Sequence, residues 1–257
     1  ISWCLSHPWR GMWARLCRAV RGEASRGALI CLALSGGCAR AQEPVGIELV
    51  LALDSSASVD RSEFQLQLDG LATAFRDPDV SQAVENLKPL GIAVAVVQWG
   101  GPGATRVVLP FEFLGSARDA KAFGFRASLI RRWMRASSTS IATAIQESTA
   151  LIETNGYEGF RKIIDISGDG PDNSDVDLEA ARAAARAAGI TINGLAVGEH
   201  EADIAEYYAG ELIRGPGAFV EVARRQTDYP AASRRKLLRE LAGPMIGALP
   251  QHNPANL

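Results

Sequence analysis

The sequence predicts an α/β fold, a doubly wound and mostly parallel sheet with one antiparallel edge strand and helices on both faces. Three observations predict it. The runs 47–53, 92–99 and 190–197 are short and almost wholly apolar, as expected of central strands buried on both faces. Stretches with helical apolar spacing separate the strand-like runs, and alternation of this kind calls for parallel pairing. One link, Gly100-Gly101-Pro102-Gly103, is too short for a crossover, so the strands it joins should form a hairpin.

The elements follow in order. The first strand stops at Asp54, and Asp60-Arg61-Ser62-Glu63 reads as a capping box, with Asp at the cap and Glu three residues on. Behind it Phe64, Leu68, Leu71 and Phe75 make the apolar stripe of an amphipathic helix that ends at Asp77-Pro78. After the hairpin of 92–99 and 105–109, helices are expected over 117–134 and about 141–153. A strand follows at 162–167, then an alanine- and arginine-rich helix over 177–188 with Gly189 just past its end. The strand 190–197, a helix near 202–212, a short edge strand near 218–222 and a helix over 229–241 complete one domain, 42–250. Residues 251–257 read as a loose tail.

Residues 1–41 have a different character. They hold six arginines against Glu23 alone, then an apolar stretch from Ala28 to Leu34, then Ala39-Arg40-Ala41. A basic segment, a short apolar segment and a small-residue site form a secretory signal peptide, cleaved between Ala41 and Gln42. The body is therefore expected outside the cytoplasm, periplasmic or secreted. Met12 offers a more ordinary start, which makes 1–11 an over-extended beginning; an amphipathic membrane-surface helix and, less well supported, lipidation at Cys38 are the competing readings of the same leader. All four cysteines fall in this stretch, so the body has neither a disulfide framework nor a thiolate metal site. Of 27 basic and 29 acidic residues, six and one lie in the leader, leaving 21 against 28 and a net charge of −7. That balance argues against nucleic acid or an anionic membrane as partner, and no apolar run reaches the roughly 20 residues of a membrane span.

Three polar clusters fall beside strand ends or at a helix start: Asp54-Ser55-Ser56-Ala57-Ser58, Ser137-Ser138-Thr139-Ser140 and Ser167-Gly168-Asp169-Gly170. In a doubly wound sheet such positions converge at the carboxyl ends of the strands. Together they offer two carboxylates and three hydroxyls without imidazole or thiolate. Oxygen donors of this kind suit Mg²⁺, with Mn²⁺ or Ca²⁺ as alternatives, rather than zinc or copper. Asp and Ser after a strand also make turns and caps, but Asp60 already serves as the cap of the first helix.

Asp-x-Ser-x-Ser after a buried strand, a later Thr opening a helix and an Asp-Gly after the next strand resemble the metal-ion-dependent adhesion site of von Willebrand factor A and integrin I domains. The resemblance covers roughly 46–245, with a Rossmann-like sheet, and is strongest to exported bacterial proteins with a Ser-Gly-Asp-Gly-Pro run. It implies a metal site of Asp54, Ser56, Ser58, Thr139 and Asp169. Ser56 and Ser58 would bind directly, Thr139 directly or through water, and the two aspartates commonly through water. It further implies a partner protein that presents an Asp or Glu to the open position, and no enzymatic activity. The chain departs from the family's Thr-Asp-Gly, because Gly168 stands between Ser167 and Asp169; Asp172 and Asp165 are the substitutes if Asp169 is displaced.

An enzyme reading competes. Gly168-Asp169-Gly170-Pro171-Asp172-Asn173 also resembles the last motif of haloacid dehalogenase-type phosphatases, with Asp54 as nucleophile and Mg²⁺ as cofactor. Such enzymes need a carboxylate two residues after the nucleophile, where this chain has Ser56. A metal-free scaffold on the same fold is the third reading. Asp172, Asn173 and Asp175 read as a solvated loop, Trp99 and Trp133 as packing residues and His200 as a surface residue. Neither the partner nor the oligomeric state is legible.

Overall fold

A computed structural model of the chain describes residues 42–133, 138–198 and 201–243. The leader, the tail, Met134, Ser137 and His200 lie outside the described residues. The elements run β1 (Glu43–Asp54), α1 (Arg61–Arg76), α2 (Pro78–Asn86), β2 (Ile92–Trp99), β3 (Thr105–Leu114), α3 (Ala117–Ser128) and α4 (Ile141–Glu153). They continue with β4 (Tyr157–Gly168), α5 (Leu178–Ala187), β5 (Ile190–Val197), α6 (Glu201–Tyr207), β6 (Val220–Ala223) and α7 (Tyr229–Ala242). A π-helical turn, Tyr208–Leu212, extends α6.

The strands form one six-stranded sheet in the order β3-β2-β1-β4-β5-β6. All neighbours pair parallel except β2 with β3, so the antiparallel edge is the hairpin expected from the glycine-rich link. Side-chain alternation along β1 splits the core in two. Leu49, Leu51 and Leu53 pack beneath α1, α3 and α7, whereas Val50 and Ala52 pack beneath α4, α5 and the α6 region. Both faces of β1 and β2 are covered, which is why their sequences are apolar in near-continuous runs, broken by the buried Glu48 and Gln98, rather than at alternate positions. Among the described residues no helix is long and apolar enough to cross a membrane.

The chain leaves β1 toward β2 and β3 on one side and returns to β4 on the other. The carboxyl ends of β1 and β4 therefore flank the point where the winding reverses, the usual place for a ligand crevice. The register sets Leu53 beside Ser167, so Asp54 and Gly168 emerge together at this end of the sheet.

The structure departs from the sequence reading in several places, and β3 and β4 are longer than the strands expected at 105–109 and 162–167. Asp77-Pro78 ends α1 but also starts α2, because Asp77 accepts the amides of Asp79 and Val80 as a cap and proline is tolerated in a first turn. The helix expected over 117–134 ends at Ser128. Beyond it the buried Gln98 amide binds the chain on both sides, donating to the Arg131 carbonyl at 2.8 Å and accepting the Trp133 amide at 2.8 Å. Trp133 is not a packing residue; it is 52% exposed, with the Arg106 guanidinium 4.6 Å from its ring centre.

Candidate metal centre

Asp54 ends β1 fully buried, and its Oδ1 accepts the Ser56 amide at 2.7 Å, which turns the chain sharply out of the strand. Ser55 faces away. Its amide and hydroxyl both donate to the Trp99 carbonyl, at 2.8 and 3.0 Å, and moor the loop to β2. Ser56 and Ser58 are thereby left on one side, their hydroxyl oxygens 3.1 Å apart. Ser58 donates in turn to Asp169 Oδ1 at 2.9 Å. Neither serine caps α1, because Asp60 accepts the Glu63 amide and Glu63 accepts the Asp60 amide, each at 2.8 Å. Asp54, Ser56, Ser58 and Asp169 thus form one continuous oxygen cluster.

Thr139, also buried, joins the same end of the sheet through its backbone. Its amide donates to Asn173 Oδ1 at 2.8 Å, its carbonyl accepts the Asn173 amide at 3.0 Å, and the next amide, Ser140, donates to the Gly100 carbonyl at 2.7 Å. The loop after β4 is solvated at Asn173 and Asp175, as its sequence suggests, yet Asp172 and Asn173 also tie it to Thr139 and α4. Asp172 accepts the Ala142 amide at 2.9 Å through Oδ2 and the Ser174 amide and hydroxyl through Oδ1, so it supplies the N-terminus of α4 with an anion. Asp172 is engaged there and does not replace Asp169. Asp165 lies on the opposite face of β4, 2.8 Å from Lys236 of α7, and does not reach the cluster.

The Gly168 departure has a steric cause. A Cβ on Gly168 would stand 2.7 Å from the Tyr208 hydroxyl, 3.1 Å from Asp54 Oδ2 and 3.3 Å from the Trp99 ring. The tyrosine of the π-helical turn fills the room that a threonine side chain would need. Asp169 keeps its contact with Ser58 regardless.

Arg132 is the cation that sequence reading missed. It donates to the Ser55 and Ser56 carbonyls at 3.1 and 2.8 Å and holds the serine loop from outside. Tyr208 and Asn173 were also missed as parts of this site, and Asp172, expected only as a substitute ligand, is an anchor of its loop. Only the Asp-Asn-Ser run hinted at side chains turned back onto the backbone.

Burial pushes the Asp54 carboxyl up to about 7; the nearby Asp169 charge adds to this, while Ser56 and Arg132 oppose it. Asp54 Oδ2 is buried and accepts no hydrogen bond from the described residues, and the Tyr208 hydroxyl and Trp99 indole N–H beside Gly168 are likewise unpartnered. Burying an unsatisfied carboxylate oxygen is costly. A divalent cation beside Asp54 removes that cost, so the residues present fit such an ion. Among the described residues no group of three or more His, Cys, Asp or Glu side chains is placed to hold one. The donors on offer are two carboxylates, hydroxyls and water.

Comparison with known proteins agrees with this architecture. The sequence matches the family described as "Protein of unknown function (DUF1194)" over residues 44–245. No curated protein matches it by sequence. Solved structures with the same fold include proximal thread matrix protein 1 from the mussel byssus, with a TM-score of 0.57 at 15% identity. The match covers 78% of this chain and 49% of that one. A second structure of that protein has a zinc-occupied MIDAS motif, with a TM-score of 0.57 at 14% identity over 78% and 49% of the two chains. The von Willebrand factor type A protein from Catenulispora acidiphila gives 0.51 at 19% identity, over 77% of this chain and 42% of that one. The chain thus spans about half or less of the length of these structures, and at such identities the likeness is one of fold. The chain has the von Willebrand factor type A fold of the Catenulispora acidiphila structure, and it belongs to the DUF1194 family.

Proposed function

We propose that the chain is an exported, metal-dependent protein-binding domain, in which Asp54, Ser56, Ser58, Thr139 and Asp169 hold a divalent cation. The observation that carries this reading is the oxygen cluster from Asp54 to Asp169, with its buried and unpartnered Asp54 Oδ2, at the reversal point of the sheet. The ion would supply a Lewis-acid position for one carboxylate from outside. Asp54 and Asp169 bring negative charge from the two sides of the crevice, Ser56 and Ser58 present hydroxyls, and Arg132 fixes the loop that carries them. The all-oxygen donor set favours Mg²⁺, with Mn²⁺ or Ca²⁺ as substitutes. The zinc-occupied MIDAS motif of the byssus protein supports a divalent ion at this place in the fold.

The partner is a protein that offers an Asp or Glu. The basic, apolar and small-residue pattern of 1–41 supports export, with 42–250 as the functional domain. The phosphatase reading is the less well supported: Asp172 and Asn173 hydrogen-bond to α4 and Thr139, and Ser56 stands where such an enzyme places a proton-donating carboxylate. Capture experiments from an extract of the source organism test the proposal. A protein retained in Mg²⁺, released by EDTA and not retained by Ser56→Ala is the expected result. Retention unchanged by EDTA contradicts it.

A further inference from the structure

Beside the serine loop lies an open cleft of about 670 Å³, walled by Ala57, Val59, Phe64 and Ile130 and rimmed by charge. Arg61, Arg131 and Arg132 face it together with Trp133, over whose ring Arg106 is stacked. None of these four arginines forms an ion pair among the described residues, whereas Arg126, Arg182, Arg225, Arg234 and Arg235 each do. The Arg132 Nε is buried and has no partner among the described residues. Asp60, the one carboxylate in the wall among the described residues, is engaged by the Ser62 hydroxyl at 2.6 Å and the Glu63 amide at 2.8 Å. An acidic body thus carries a basic, partly aromatic cleft whose edge, Ala57, lies between the two serines of the metal loop.

We propose that this cleft binds an acidic segment of the partner, so that the carboxylate on the metal is followed by further Asp or Glu residues held by Arg61 and Arg131. The proposal rests on the metal-dependent reading above and names the kind of partner it takes. Guanidinium groups match carboxylates in shape and charge, and uncompensated arginines at a cleft steer and select anionic segments. Because Arg132 also holds the Ser55 and Ser56 carbonyls, the cleft and the serine loop share a wall, and a chain that reaches the metal continues past the arginines.

The test uses two fluorescein-labelled peptides in Mg²⁺, hexaglutamate and a single glutamate among glycines, read by fluorescence anisotropy. Arg61→Gln with Arg131→Gln is the variant, since both side chains are exposed and neither touches the metal loop. Hexaglutamate is expected to bind about tenfold more tightly than the single-glutamate peptide, an advantage that the double variant and high salt both remove. The single-glutamate peptide and Mg²⁺ itself should bind the variant as they bind the parent. Equal binding of the two peptides by the parent, or an advantage that survives in the variant, overturns the cleft but leaves the metal reading intact. Arginine-dependent binding that persists in EDTA supports the cleft and overturns the metal reading instead. A hexathymidine oligonucleotide bound as tightly as hexaglutamate overturns the assignment to carboxylates.

Discussion

Ser58 and Asp169 are 111 residues apart in sequence, yet the Ser58 hydroxyl donates to Asp169 Oδ1 at 2.9 Å. That contact spans the crevice between the ends of β1 and β4, and it joins two loops whose own backbones are fixed elsewhere. Ser55 moors one loop to Trp99, while Asp172 and Asn173 moor the other to α4 and Thr139. The cluster is therefore held by anchors just outside it, and those anchors can be tested separately from the cluster.

Replacing the outer anchor should cost stability. Asp172→Ala removes the acceptor of the Ala142 amide and the anion at the start of α4, and is expected to destabilise the fold by about 1–2 kcal/mol. Asp169→Ala, at the part-exposed rim, should change stability by less than about 0.5 kcal/mol. Urea denaturation in EDTA checks the contrast, and equal losses would show that Asp172 is not an anchor.

Gly168 is required by Tyr208. Gly168→Ala puts a methyl group 2.7 Å from the Tyr208 hydroxyl and should destabilise the fold by about 1–3 kcal/mol. Tyr208→Phe in the same chain removes the opposing oxygen and should recover part of that loss. A double-mutant cycle of melting curves measures the coupling. Strict additivity would mean that the clash is relieved elsewhere.

Beneath α7, Lys236 stands 2.8 Å from Asp165 and 2.6 Å from Glu240, with Asn193 donating to Glu240 at 2.9 Å; all four are buried. The two carboxylates hold the lysine ammonium above its ordinary range despite burial, and burial raises Asp165. Lys236→Met leaves both acids without a cation, and a loss of about 3–5 kcal/mol is expected. Adding Asp165→Leu and Glu240→Gln should restore most of it, as measured by chemical denaturation.

Asp54 should be costly to the metal-free fold. Asp54→Asn keeps the shape and removes the buried charge, so at pH 8 in EDTA the variant is expected to be more stable than the parent by about 2 kcal/mol. The folded carboxyl titrates at about 7 against an ordinary 3.8. Between those values the folded parent holds a proton that the unfolded chain has lost, so its stability rises as pH falls through 7. The variant's advantage should shrink from pH 8 to pH 5. An advantage independent of pH would mean that Asp54 is not buried in its charged form.

Much of the fold was legible because both faces of β1, β2 and β5 are covered, which leaves apolar runs that admit few other readings. Asp60, Glu63 and Gly189 marked helix ends by local chemistry, and Gly189 does adopt φ +73° just past α5. What was missed depends on distant partners. The apolar spacing of Leu129, Ile130, Trp133 and Met134 looked helical, but the amide of Gln98, on another element, takes the backbone of Arg131 and Trp133. Asp172 and Asn173 read only as solvated loop residues, and their anchoring role went unseen because the helix they serve begins some thirty positions earlier. Tyr208 gave no signal at all, since only the close approach to Gly168 gives it meaning.

Calorimetric titration of Mg²⁺ and of Mn²⁺ into the protein, beside Asp54→Ala and Ser56→Ala, tests the central claim most directly. Saturable binding at one site, lost in both variants while each remains folded, is the predicted result. A folded parent that binds neither ion, or variants that bind as well as the parent, would contradict the assignment of this cluster as a metal centre.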